Sequence, residues 1–98
     1  MGATHAMDLQ ARRRDILRIA ARHGARNVRL FGSVARGDDR PGSDVDLLVE
    51  MGSDRSLLDL VGLSQDLEEL LDRKVDVLTD GSLPPVLRKR ILEEARPL

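Results

Sequence analysis

Two aspartates one residue apart, Asp44 and Asp46, open the apolar run Val45 to Val49, and a Gly-Ser pair, Gly32-Ser33, stands upstream of them. Side chains alternate along a strand, so Asp44 and Asp46 point one way while Val45 and Leu47 point the other. Their Cα atoms then lie about 7 Å apart, near enough for both carboxylates to hold one cluster of cations. Two anions that close repel each other unless positive charge sits between them. Mg²⁺ meets that need, because it takes oxygen ligands and keeps water and phosphate oxygens in its shell. A third carboxylate, Asp76, lies between Val75 and Val77 and so projects opposite its apolar neighbours. Beside the strand of Asp44 and Asp46 it completes a three-carboxylate site. An aspartate at a strand start also serves as an ordinary turn residue, and Asp44 after Ser43 fits that reading. A charge inside a short apolar strand, as at Asp46 and Asp76, is harder to explain structurally, since burying it unpaired is costly.

Gly32 follows directly on a strand and permits backbone geometry that a side chain blocks. Ser33 beside it offers a hydroxyl and a backbone N–H to a phosphate, and a helical turn there aims its N-terminus at the same anion. The Walker pattern, with its Gly-Lys-Ser/Thr ending, is absent. Arg36 pairs with a phosphate or caps the turn, and the first reading is favoured. Gly37 serves the backbone.

These groups need elements to hold them. Ile16, Ile19, Ala20 and His23 recur at i, i+3, i+4 and i+7, which predicts a helix from Asp8 to His23, stopped by Gly24. Arg12, Arg13, Arg14 and Arg18 occupy its other faces as a solvated surface, and His23 reads as a helix-end core residue. A strand over 27–31 follows, then a helical turn over 33–36 and a polar loop over 37–43. The run 45–49 is nearly all apolar, so both of its faces are covered. Ser56 is a suitable N-cap for a helix over 57–72 that buries Leu60, Leu63, Leu67, Leu70 and Leu71. Residues 75–78 form the third strand, and Pro84-Pro85 opens a last helix to about Ala95, ended by Pro97. Val86, Leu87, Ile91 and Leu92 exceed what a narrow buried stripe requires, which predicts an exposed patch for an oligomer or partner. Arg88-Lys89-Arg90 is a solvated face or a contact to nucleotide or partner. The order helix, strand, turn, strand, helix, strand, helix describes one compact α/β domain with a small sheet.

Composition narrows the class. A chain of 98 residues holds one core. With Phe31 the only aromatic, that core is built from Leu, Val, Ile and Ala. A formal net charge of −1 argues against a broad nucleic-acid surface. The lack of Cys excludes disulfides and thiolate metal sites, and two His are too few for an ordinary zinc site. No stretch approaches the roughly 18 apolar residues of a membrane span. No signal peptide is visible, so a cytoplasmic setting is expected. Residues 1–7 read as a flexible leader.

Taken together, Gly32-Ser33, Asp44-Val45-Asp46 and Asp76 resemble the signature of the DNA polymerase β-like nucleotidyltransferase superfamily: Gly-Ser, a spacer, Asp-x-Asp in a strand, then an acidic residue on a neighbouring strand. Ala35-Arg36-Gly37 and Ser43 resemble the form found in small stand-alone prokaryotic members, the minimal nucleotidyltransferases. The likeness runs from Asp8 to the C-terminus and implies a minimal nucleotidyltransferase domain over 8–98. It implies a small mixed sheet backed by helices, in the manner of a polymerase β palm, and transfer assisted by two metal ions. By that resemblance Asp44 and Asp46 bind both Mg²⁺ ions, and Asp76 binds the catalytic one and helps deprotonate the attacking hydroxyl. Gly32 and Ser33 hold the β- and γ-phosphates of ATP. Larger relatives carry a further domain for the acceptor, and this sequence has no residues left for one, so the acceptor surface is expected on another molecule. The small members resemble the antitoxin half of two-component systems whose partner is a HEPN-domain ribonuclease toxin, and some transfer AMP onto a tyrosine of that toxin. Without Tyr or Trp to stack on a base, base selection rests on aliphatic contacts or backbone groups. Two other functions fit the same residues: a non-catalytic antitoxin that masks its partner, and a nucleotidyltransferase acting on a small molecule or an RNA end.

Overall fold

A computed structural model describes residues 6–36 and 44–98, with backbone alone for 6–8, 33 and 34. Helices α1 (Ala6–Ala11) and α2 (Arg13–Arg22) precede strand β1 (Ala25–Phe31). One turn of helix, α3 (Gly32–Arg36), leads toward β2 (Val45–Met51). Helix α4 (Leu57–Leu71) connects to β3 (Val75–Thr79), and α5 (Pro85–Glu94) leads into the short β4 (Arg96–Pro97). The four strands form one sheet in the order β3-β2-β1-β4. β2 and β3 run parallel, whereas β1 is antiparallel to both β2 and β4. The expected small mixed sheet backed by helices is therefore the observed architecture.

Three departures from the expected elements have local causes. The first helix is broken at Arg12, whose carbonyl accepts the first hydrogen bond of α2, from Ile16 N–H at 2.9 Å. The break lets α1 fold over the core and bury Leu9 completely. β1 begins earlier than 27, and its pairing with β2 shifts register between Arg26 and Arg29. Asn27 takes a positive φ of 51° at that irregularity, a conformation Asn tolerates better than most side chains. Pro97 does more than follow a helix, since it lies in an edge strand, where a missing N–H is harmless. The expected leader lies mostly outside the described residues, its last two positions, Ala6 and Met7, being the start of α1.

β2 is covered on both faces. Val45, Leu47 and Val49 meet the larger core with Ile16, Ala20, Leu63 and Leu67. On the opposite face Leu48 joins Phe31 and Leu83, with Ile91, Leu92 and Ala95 of the α5 region packed against them. Asp59 steadies the start of α4 by accepting a 3.0 Å hydrogen bond from Ser56 N–H. His23 Nε2 lies 2.7 Å from Asp66 Oδ2, tying the end of α2 to α4. Leu63 is fully buried beneath this clasp. Leu63→Ala is expected to cost about 2–5 kcal/mol in urea unfolding, as a lower midpoint at unchanged slope.

Candidate active site

The parallel ladder between β2 and β3 pairs Val45 with Val75 and Asp46 with Asp76. A hydrogen bond from Val45 N–H to the Lys74 carbonyl, 2.9 Å, fixes the two strand starts level with each other. Asp46 and Asp76 are thus direct neighbours across the ladder, about 4.8 Å apart at Cα. Both are half-buried, while Val45 and Val75 at 1% exposure are pressed into the core on the other face. Asp44, exposed, stands immediately before β2. Phe31 is the antiparallel partner of Asp46, so the end of β1 meets the same point.

The electrostatics agree with this placement. The Asp46 carboxyl is pushed up to about 6, first by burial, then by the charges of Asp76 and Asp44, with Arg36 opposing. Asp46 thus stands within electrostatic reach of the three other groups that the sequence marks at this end. Among the described residues, none of the three aspartates is in an ion pair. Nor are three His, Asp or Glu side chains drawn into one closed ligand set among them. The three carboxylates face one region from two strand starts. Clustered carboxylates outside any ion pair are a donor set that suits a hard divalent cation.

Gly32 is bound to this cluster by shape. Its φ is +75°, and a Cβ built there would overlap Oδ2 of Asp46 and stand 3.2 Å from its Cγ. Only glycine allows the chain to turn from β1 into α3 so tightly against that carboxylate. The backbone of Ser33 lies in α3, and its side chain, with Gly37, Ser43 and the whole 37–43 loop, falls outside the described atoms. Arg36 ends α3 and donates from a terminal guanidinium nitrogen to Glu94 Oε1 at 3.0 Å. Glu94 Oε2 accepts from Arg90 Nε at 3.1 Å, so one carboxylate is clamped by two arginines. Arg90 first, and Arg36 after it, hold the Glu94 carboxyl below its usual range against the effect of burial.

Glu94 is not among the residues that the sequence marks. Its i,i+4 spacing from Arg90 was readable as a helix-surface pair, but its bond to Arg36, 58 residues away, was not. The exposed patch expected on the last helix divides in two. Val86 and Leu87 are exposed, whereas Ile91 and Leu92 pack toward Phe31.

The family model described as a nucleotidyltransferase domain matches residues 13–98. A relative from Methanocaldococcus jannaschii, named a candidate protein adenylyltransferase, is 47% identical over 89 residues, spanning 91% of this chain and 96% of that one. Among solved structures, a candidate minimal nucleotidyltransferase superposes with a TM-score of 0.86 at 48% identity and covers 97% of both chains. A complex of a tri-AMPylated Shewanella oneidensis HEPN toxin with its MNT antitoxin shares the fold at a TM-score of 0.68 and 21% identity. That match covers 90% of this chain and 69% of the other.

Proposed function

The chain belongs to the nucleotidyltransferase domain family, and from that premise we propose that it transfers AMP from ATP to a hydroxyl, a tyrosine's, on a HEPN-domain toxin, acting as the antitoxin of a cytoplasmic pair. The observation that carries this reading is the level pairing of Asp46 with Asp76 beside Asp44, against the glycine turn at Gly32. The acceptor's nature is supported by the M. jannaschii relative's name and by the AMPylated toxin in the S. oneidensis complex.

In this reading Asp44, Asp46 and Asp76 hold two Mg²⁺ ions, which when bound stabilise the entering and departing oxygens of a displacement at phosphorus. The acceptor oxygen forms a bond to the α-phosphorus, the bond from that phosphorus to the bridging oxygen breaks, and pyrophosphate leaves. Asp76, on the outer strand, helps take the hydroxyl proton. Gly32 and Ser33 hold the β- and γ-phosphates. Arg36, steadied by Glu94, turns positive charge toward the same anion. The half-buried setting of Asp46 weakens competition from water and strengthens each of these interactions.

The test is intact-mass measurement of the HEPN-domain partner co-expressed with this chain or with an Asp44→Asn/Asp76→Asn variant. Nucleotide-sized increments with the unmutated chain alone are the expected result. An unmodified partner, bound and silenced equally by both chains, would replace transfer with masking.

A further inference from the structure

Beyond the carboxylates the structure contains a cleft of 200 Å³ between the end of β1 and one face of α5. Phe31 and Gly32 line it from the end of β1, and Leu87, Arg90, Ile91 and Glu94 from α5. Those four α5 residues fall at i, i+3, i+4 and i+7, so a single helix face lines the cavity. Arg36 closes the end through its bond to Glu94. The volume is below the roughly 300–1,000 Å³ that takes a whole drug-sized ligand, and suits one planar ring system.

From this geometry we infer that the cleft is the nucleobase subsite, an inference that rests on the triphosphate reading above. Gly32 borders both spaces: a Cβ there would overlap Asp46 Oδ2, and the residue also lines the cleft. Phe31 is also the ladder partner of Asp46. A nucleotide whose phosphates lie along the Gly32 turn, beside the carboxylates, has this cleft next to it for its base. The lining matches the chemistry of a base: flat apolar surface from Phe31, Leu87 and Ile91, with a carboxylate and a guanidinium at the edge to meet ring nitrogens and exocyclic groups. The absence of Tyr and Trp is then answered by aliphatic side chains of α5. Arg90 is the member of the Arg88-Lys89-Arg90 run that reaches the site, and Leu87 leaves the exposed patch to become its outer wall.

The chain contains no Trp, so Leu87→Trp places a single fluorescent indole on the cleft wall. Leu87 is 44% exposed, and neither Leu87→Trp nor Leu87→Glu disturbs the buried core. Affinities for ATP and for inorganic tripolyphosphate, each with Mg²⁺, are compared by calorimetry across the unmutated chain and both variants. Base stacking on the new indole is expected to tighten ATP about 5- to 10-fold and to quench its emission. Leu87→Glu is expected to weaken ATP by about the same factor. Tripolyphosphate, which has no base, should be unaffected in either variant and should not quench. Equal changes for the two ligands, or none for either, overturn the assignment. ATP binding untouched by Leu87→Glu, with partner modification blocked, would give the cleft to the acceptor instead. An unmutated chain that binds no tripolyphosphate at all would overturn the triphosphate reading and the subsite with it. Asp44→Asn separates the two, because it should weaken both ligands together while leaving their ratio intact.

Discussion

Asp46→Asn is expected to lower the rate of nucleotidyl transfer by on the order of 10³-fold while making the metal-free protein more stable. The two effects share one cause. Asp46 sits half-buried between Asp76 and Asp44, and its carboxyl is pushed up to about 6 from an ordinary 3.8. A folded-state value above the unfolded one means that the native chain binds more protons between those two pH values. Stability contributed by this group is therefore greatest below about 4 and falls as pH rises toward 6, after which it stays low. At neutral pH the charged form opposes folding. Taken at face value the shift amounts to about 3 kcal/mol. Screening at a site open to solvent reduces that to about 1–2 kcal/mol. In EDTA the variant should melt roughly 5–10 °C above the unmutated chain at pH 7. The gap should close as pH is lowered to 4. Mg²⁺ should raise the Tm of the unmutated chain and leave the variant nearly unmoved, since only the intact carboxylates gain from the cation. A variant that melts at the unmutated temperature across the whole pH range would show that Asp46 is not strained by its neighbours. Loss of activity with loss of stability would point to simple misfolding.

The placement of the candidate carboxylates is more legible in the sequence than the frame that aims them. Asp44 and Asp46 could be placed on one face because strand alternation is a local rule, and Asp46 and Asp76 stood out because each interrupts a short apolar run. Their direct pairing was not readable, because register between parallel strands is set by the crossover through α4 and by core packing on the far face. The period of apolar residues gives α4 and the end of α2 within a residue or two. It could not give the break at Arg12, where no proline, glycine or cap residue marks the change and the driving force is burial of Leu9. β4 was invisible for a related reason. Two residues carry no periodic signal, and their pairing with Arg29 and Leu30 depends on where α5 leaves the chain. The same holds for Glu94. Any surface helix offers an Arg-Glu pair at i,i+4, and only the packing of α3 beside α5 turns this one toward Arg36. The candidate groups are written in local chemistry, whereas the features that orient them are tertiary.

Gly32→Ala is expected to be nearly as damaging to activity as loss of a carboxylate, through a different route. The backbone at Gly32 has φ +75°, which an alanine adopts only with strain. The added methyl would also overlap the Asp46 carboxylate, so the side chain or the turn must move. A displacement of about 1 Å in a positioned group costs on the order of 10²-fold in rate. Strain and overlap together should lower stability by about 1–3 kcal/mol. Gly81→Ala serves as the matched control, since a Cβ there meets nothing within 4 Å and its φ is not in the left-handed region. It should leave Tm and activity nearly unchanged. The two penalties at Gly32 can be separated with a stability cycle against Asp46→Ala. If the carboxylate is the obstacle, Gly32→Ala should cost markedly less in the Asp46→Ala background, with a coupling of about 1 kcal/mol or more. What remains in that background is the backbone strain alone. Strict additivity would mean that the methyl finds room beside the carboxylate, and that the glycine is needed for its φ and not for its contact with the site. Coupling would mean that the turn and the carboxylate were shaped against each other, so that Gly32 also sets where Asp46 can stand.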